Sequence, residues 1–544
     1  MFVFYTHKAD EGLGGNDHMR LLAIVCACLC VIAGFWWART QSFPIDDPVI
    51  HRMWEVGVEN SQTEVLAQFL MDVIGPRTSG SPNLAAAQEW LLETYGSWGV
   101  TVRKEQYGTW LGWRQGILHV DLIAPRVQSL EAKLLAYSPG TDGPVEGEIV
   151  ALPTVVPSNF DVSQWRPFVE GRWVLVSPPE PTCRPAESLE SLARPETVES
   201  LKTLQEENRT WVSRLKDEVA WDYGHLLDEA GALGIIESRW SGGWGTFLIE
   251  ESFLKNLDIP YVALSCEDYG LVYRLAENNQ NPRLRIEAEV EQLGEVPQFN
   301  VIAELTGTEL PDEYVLLSAH LDSFHGATGA TDNGTGTIMM LEAMRILKAT
   351  YPNPRRTIRV GHWGGEEFGL IGSNSYREDH PEVVDGLQAL FNQDNGTWRI
   401  ERIEGQGFLY AGQYLRRWIS QVPRELSERI TLVFPGGQDF PGSDQLSFLC
   451  VGAPAFRLDG ARDEHHTEHR RYTRHGNRDT YDKIVFDDLK ENATLVAMLA
   501  YAASEDPDRV PRDRATLPID PDTGVPREWR RCPPSPRTWA EWDP

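Results

Sequence analysis

Four short runs of the chain carry side chains suited to metal-assisted hydrolysis. "YVLLSAHLDS" ends an apolar stretch at His320, with Asp322 two residues on. "GATDNGTG" sets Asp332 in a glycine-rich turn ahead of an amphipathic helical pattern. "TIRVGHWGGEE" ends at the pair Glu366 and Glu367, and "LQALFNQDNGT" runs into Asp394. A lone acid at the end of a strand is commonly a turn or a cap, and paired glutamates can favour a helix N-terminus. Four exits in about 75 residues carrying His, Asp, Glu-Glu and Asp call for another reason. Burying unpaired carboxylates is costly or forces them to take protons. A bound cation removes that cost. Imidazole mixed with carboxylate suits zinc, with a position left open for water. The excess of carboxylates suggests two ions roughly 3.5–4 Å apart with one carboxylate bridging. Asp332 is the natural bridge, because its glycine-rich turn lets backbone approach closely. Asp322 is placed to accept from His320 and orient it.

Strands and helices must bring these exits together. "FNVIAEL", "YVLLSAH", "TIRVGHW" and "LQALFNQD" read as strands. "GTGTIMMLEAMRILKAT" reads as a helix with Ile338, Leu341, Met344 and Leu347 near one face. The alternation predicts an α/β fold, a mixed and mainly parallel sheet flanked by helices. In such sheets, sites collect at the carboxyl ends of strands. Residues 39–124 read as a first part of this domain and 293–505 as its main part. Residues 125–292 differ, with short runs such as "GEIVAL", "GRWVLVS" and "IPYVALS" that predict an inserted β-rich domain. A charged helical stretch, Pro181 to about Val219, lies inside it. Residues 506–544 hold nine prolines and predict a surface wrap or disorder.

Residues 1–38 form an N-terminal extension containing "LLAIVCACLCVIAGFWW", Leu21 to Trp37, the pattern of a signal peptide or signal anchor. Cleavage and membrane anchoring both stay open, and Met19 is an alternative start. The expected location is periplasmic, secreted or tethered to a membrane. A net charge of −30 excludes nucleic acid as a partner. Outside the leader, Cys183, Cys266, Cys450 and Cys532 are too sparse for a disulfide framework. One pair could form, and Cys450 in "LSFLCVGAPAF" reads as core.

Together with "GSDQLSF" and "HGNRDTYDKI", the four runs resemble the co-catalytic zinc aminopeptidase and carboxypeptidase Q-like family over about Phe299 to Glu505. The earlier "IGPRTSGS" and "EAGALGIIES" resemble members with an inserted protease-associated domain. The resemblance implies a zinc-exopeptidase fold, two Zn2+ ions and a peptide substrate. His320 and Asp394 would hold one zinc, Glu367 and His475 the other, and Asp332 would bridge. Glu366 would be the general base and Asp322 would support His320. Gly442, Ser443 and Asp444 would form a loop on the substrate side. Gly476 departs from the family's usual threonine after the histidine ligand. His465, His466 and His469 read as a solvated loop, His325 as a pocket edge and His362 as core. Short peptides or dipeptides with a free amino terminus are the expected substrates, and a homodimer stays open. Two alternatives remain: a single-zinc glutaminyl-cyclase-like transferase, and a non-catalytic receptor-like ectodomain. The complete ligand set argues against the second, and metal counting separates the first.

Overall fold

Two long antiparallel strands join the two parts of one sheet. Thr101–Ala124 pairs with Arg283–Leu305 from Thr101 opposite Glu304 to Ala124 opposite Arg283. The computed structural model describes residues 46–155, 165–218, 223–250, 257–394, 396–437, 442–461, 467–517, 519, 523–532 and 535–542. On one side of the long pair the sheet continues as Arg356–Trp363, Leu310–His320, Leu387–Asn392, Ala455–Gly460, Ile400–Glu404 and Thr431–Val433. The three strands Arg356–Trp363, Leu310–His320 and Leu387–Asn392 are mutually parallel, as is their neighbour Ala455–Gly460. Apart from the first four residues of Leu310–His320 they are buried along nearly their whole length, as a parallel sheet covered on both faces requires.

Helices cover this part of the sheet. Thr335–Thr350 and Phe486–Glu505 pack on each other and on the central strands, and Ile371–Asp379 packs with Gln445–Leu449. The first two are apolar on most sides and lie in one continuous core with the strands. The architecture is a mixed α/β fold with a mainly parallel central sheet, the class expected from the strand–helix alternation.

On the other side the sheet carries Val145–Ala151, Arg172–Leu175, Gly234–Glu237, Tyr261–Leu264 and Ala132–Leu134. These strands have two apolar clusters of their own, around Trp173 and around Trp165 with Tyr261. The charged stretch forms the helices Ala186–Leu192 and Pro195–Glu218.

Two disulfides, Cys183–Cys266 and Cys450–Cys532, join positions 83 and 82 residues apart. Cys450 is therefore a cross-link and not plain core. The composition of the tail hides this function. Its start is pinned by Asp506, which accepts from Arg417 at 2.6 and 2.8 Å and from the Trp418 indole at 2.8 Å. Its end packs Trp539 and Trp542 against Trp110. The described part of the tail is thus a surface wrap. The apolar segment Leu21–Trp37 lies outside the described residues. Among the described residues no helix is long and apolar enough to cross a membrane.

Candidate metal centre

Register brings the strand exits together. Trp363 stands opposite His320, and Asn392 opposite Ser318, so three parallel strands end at one edge. The chain order reverses at the Leu310–His320 strand, which lies between the other two. That is the switch point where open α/β sheets form their crevice. A buried polar chain fixes the register. The Trp363 indole donates to Ser318 Oγ at 2.7 Å, Ser318 donates to Asn392 Oδ1 at 2.7 Å, and Asn392 Nδ2 donates to Gln445 Oε1 at 2.9 Å.

Two ligand triads meet there. His320, Asp332 and Asp394 form one, and Asp332, Glu367 and His475 the other; within each, one ligand atom per residue lies within 4.8 Å of the rest. His320 Nε2 is 3.3 Å from Asp332 Oδ1 and 3.2 Å from Asp394 Oδ1. His475 Nε2 is 3.4 Å from Asp332 Oδ2 and 3.1 Å from Glu367 Oε2. Asp332 presents one oxygen to each histidine. All five ligand candidates converge, with Glu366 alongside.

Each ligand is held by its element. The Asp332 turn begins at Gly329, in the left-handed region at φ +57. A Cβ there would meet Ser323 Cβ at 2.3 Å, so the position needs glycine. Asp479 accepts from the backbone N–H of Thr331 at 2.8 Å and of Asp332 at 3.1 Å. Arg77, fully buried, donates to the carbonyls of Gly75, Leu321, Thr328 and Gly329 at 2.7–3.0 Å. Burial brings that guanidinium down to about 10, against the opposing field of Asp479, Asp322 and Glu367.

Asp322 acts differently from the expectation. His320 Nδ1 lies 3.0 Å from the Asp322 carbonyl oxygen, while the carboxylate is 3.7 Å away. Nδ1–H donation to that carbonyl orients the ring. The carboxylate instead accepts from the backbone N–H of Glu366 at 3.2 Å and of Glu367 at 3.4 Å. It fixes the glutamate pair.

The charges are unbalanced. Burial raises Glu366 well above the usual carboxylate range, and Asp394, Asp444 and Glu367 add to it. Burial likewise pushes Glu367, Asp444 and Asp479 up to about 7. Burial would lower both histidines, but Asp394 and Glu366 raise His320, and Glu367 raises His475. Burial would raise Asp332, but both histidines hold it well below its ordinary value. Glu367 Oε1 is buried with no hydrogen-bond partner among the described residues. Crowded carboxylates of this kind are stable as anions only beside positive charge. The donor set, the orphaned oxygen and the shared Asp332 fit divalent metal.

The loop Gly442–Asp444 divides. Ser443 Oγ accepts from Asn392 at 3.2 Å and belongs to the buried chain beneath the site. Gly442 packs against Leu446. Asp444 is buried within the field of His320 and Asp394, with the Ser373 side chain holding its carboxyl back towards its ordinary value.

The other histidines separate as well. His362 is core, 2.8 Å from the Tyr95 hydroxyl. His325 is bonded to the Leu134 carbonyl and sits edge-on to Trp113. His465 and His466 lie outside the described residues. His469 is not on a solvated loop: it is on the helix Thr467–Tyr472, 3.0 Å from Thr473 Oγ1, and burial lowers it to about 4. Sequence reasoning also missed Glu250, whose Oε1 lies 2.9 Å from His475 Nδ1. Its run, "TFLIE", had no sequence signal for that role.

The fold and the converging triads define a candidate divalent-metal centre, and the comparisons with known proteins support a metallopeptidase. Residues 300–500 match the family model described as Peptidase family M28. The chain is similar to Carboxypeptidase Q of Rattus norvegicus, 26% identical over 453 residues, covering 82% of this chain and 85% of the relative. The human Carboxypeptidase Q is 25% identical over 403 residues, covering 74% and 77%. Among solved structures, the peptidase M28 precursor of Shewanella amazonensis SB2B is similar at TM-score 0.61 and 22% identity, covering 85% of this chain and 97% of that one. BSAP, a zinc aminopeptidase from Bacillus subtilis, follows at TM-score 0.54 and 18% identity, covering 82% and 94%.

Proposed function

We propose that the protein is a zinc-dependent exopeptidase acting on short peptides or dipeptides. The observation that carries this reading is the pair of ligand triads joined at Asp332. His320 and Asp394 would hold one zinc, Glu367 and His475 the other, and Asp332 both. Bound zinc supplies a lower pKa for the attacking water and polarisation of the scissile carbonyl. Glu366 takes the proton from the attacking water and hands it to the leaving amine. Asp322 keeps Glu366 in place through the backbone, and Asp444 strengthens its basicity. The names of the relatives, Carboxypeptidase Q and a zinc aminopeptidase, agree with a terminal cut.

Two features favour short substrates. The segment Phe247–Glu250 of the insert lies against the His475 loop and makes a wall beside the centre. Arg474, half-buried next to His475, lies in the field of Asp332, Glu367 and Glu250, which outweighs its burial. Its guanidinium would be the candidate partner for a free substrate carboxylate. The two disulfides fit export to an oxidising compartment.

The test combines substrate and metal. Purified protein should hydrolyse dipeptides, lose most of that rate when the amino terminus is acetylated, and bind two equivalents of zinc. Internal cleavage of long peptides blocked at both ends would overturn the exopeptidase reading. Full activity at one equivalent would favour the glutaminyl-cyclase-like alternative.

A further inference from the structure

The insert reaches into the metal centre. His475 sits in the left-handed region at φ +51, which costs a β-carbon-bearing residue energy and needs support from its surroundings. That support comes from one segment of the insert. The His475 carbonyl accepts from the Ile249 N–H at 2.7 Å, and Leu248 bridges to Gly476. The Asn477 N–H donates to the Phe247 carbonyl at 3.1 Å, and the Phe247 N–H donates to Asn477 Oδ1 at 3.0 Å. These bonds fix the backbone but not the ring. The ring is set by Glu250, whose carboxylate oxygen lies 2.9 Å from Nδ1, on the far side from Asp332 and Glu367. Glu250 in turn is backed by Arg239, at 3.6 Å, which pairs with Glu237. Glu237 also accepts from the Tyr261 hydroxyl at 2.6 Å, in the core of the insert.

Building on the proposed two-zinc centre, we infer that Glu250 is a positioning residue for the second metal. It accepts the Nδ1 proton of His475, fixes the tautomer that leaves the Nε2 lone pair free, and turns that lone pair towards Asp332 and Glu367. The inserted domain is then part of the metal site, and its packing tunes one zinc and not the other. His320 Nδ1–H donates the equivalent bond to the Asp322 carbonyl, just past the end of its own strand. The two metals are therefore supported by different parts of the chain. Removing a carboxylate behind a histidine ligand typically costs about 10–100-fold in metal affinity.

The experiment is a chelator-competition titration of zinc on the full chain, with cobalt(II) absorption as a second readout. Wild type, Glu250→Ala and Glu250→Gln are compared, and thermal unfolding serves as the fold control. We expect Glu250→Ala to weaken one of two equivalents by about 10–100-fold, leave the other unchanged, and alter the cobalt spectrum of the weakened site. Glu250→Gln, which keeps an acceptor but not the charge, should fall between. Wild-type affinity for both metals in Glu250→Ala would overturn the inference. So would loss of both metals together with a cooperative transition, since that marks a purely structural role. If Glu250→Ala does not fold, Glu250→Gln decides: weaker binding at one site supports the inference, and unchanged binding overturns it. A wild type that takes up one equivalent fails the two-zinc reading itself, a result distinct from a wild type with two metals and an indifferent variant.

Discussion

At the scale of single residues, the adjacent glutamates meet different partners because adjacent side chains diverge. Glu367 reaches His475 Nε2 at 3.1 Å, whereas Glu366 sits in the field of Asp394 and Asp444. Glu366→Gln should retain metal and lose turnover by about 100-fold or more, the usual worth of a general base. Glu367→Gln should lose metal as well. Metal content and rate measured on the same preparations check both, and equal metal with similar rates would refute the assignment. The histidines give a parallel comparison. His475→Ala should lower metal content, because His475 Nε2 faces both Asp332 and Glu367. His469→Ala should not, because His469 is bonded to Thr473 and belongs to neither ligand triad.

At the scale of elements, the loop that carries Glu366 and Glu367 is clamped by the end of the tail. The Trp542 indole donates to the Phe368 carbonyl at 2.9 Å, one residue beyond Glu367. The Phe368 ring packs on Trp110, Tyr137, Phe324 and Trp542, and Phe324 sits edge-on to His475 at 4.5 Å. The end of the tail therefore braces both the glutamate pair and the second histidine. Arg537 anchors it, accepting at its carbonyl from the Thr109 N–H at 2.8 Å and pairing with Asp379 at 2.8 Å. Trp542→Ala should cost about 3–5 kcal/mol in stability, as expected when a buried tryptophan is removed. It should also slow turnover, because the Glu366 loop loses its support. Thermal unfolding and the rate constant at saturating substrate measure the two effects. A stability loss with an unaltered rate would mean that the tail only wraps the surface.

At the scale of the whole molecule, the metal-free protein should show the strain of its own acids. Glu367, Asp444 and Asp479 have ordinary values of 4.5, 3.8 and 3.8 but stand at about 7 when folded. Between those limits the folded chain keeps protons that the unfolded chain has released. Stability from these groups is full below about pH 4 and is lost as pH rises through about 7. His320 and His475, also raised, act in the same direction. The unfolding temperature of chelator-treated protein should fall between about pH 5 and pH 8, and added zinc should restore most at the upper end. A flat or rising profile over that range would show that the acids do not oppose one another as the geometry implies.

The candidate ligands His320, Glu367 and Asp394 were legible in the sequence because each ends or follows a strand, and Asp332 because it stands in a glycine-rich turn ahead of a helix; both are local patterns. His320, Asp332, Glu366, Glu367 and Asp394 needed no knowledge of distant contacts, and the parallel α/β sheet followed from the same alternation. Tertiary structure decided what depends on side chains far apart in the chain. The carboxylate of Asp322 serves the glutamate pair, through two backbone N–H groups 44 and 45 residues away. His475 meets Glu250 across 225 residues, and Trp542 meets Phe368 across 174. Cys450 reads as apolar core until Cys532 is brought to it. Local periodicity reports which face of an element is buried. It carries nothing about which polar partner waits there, because a hydrogen bond or a disulfide depends on where two remote backbones come to lie once the sheet has formed.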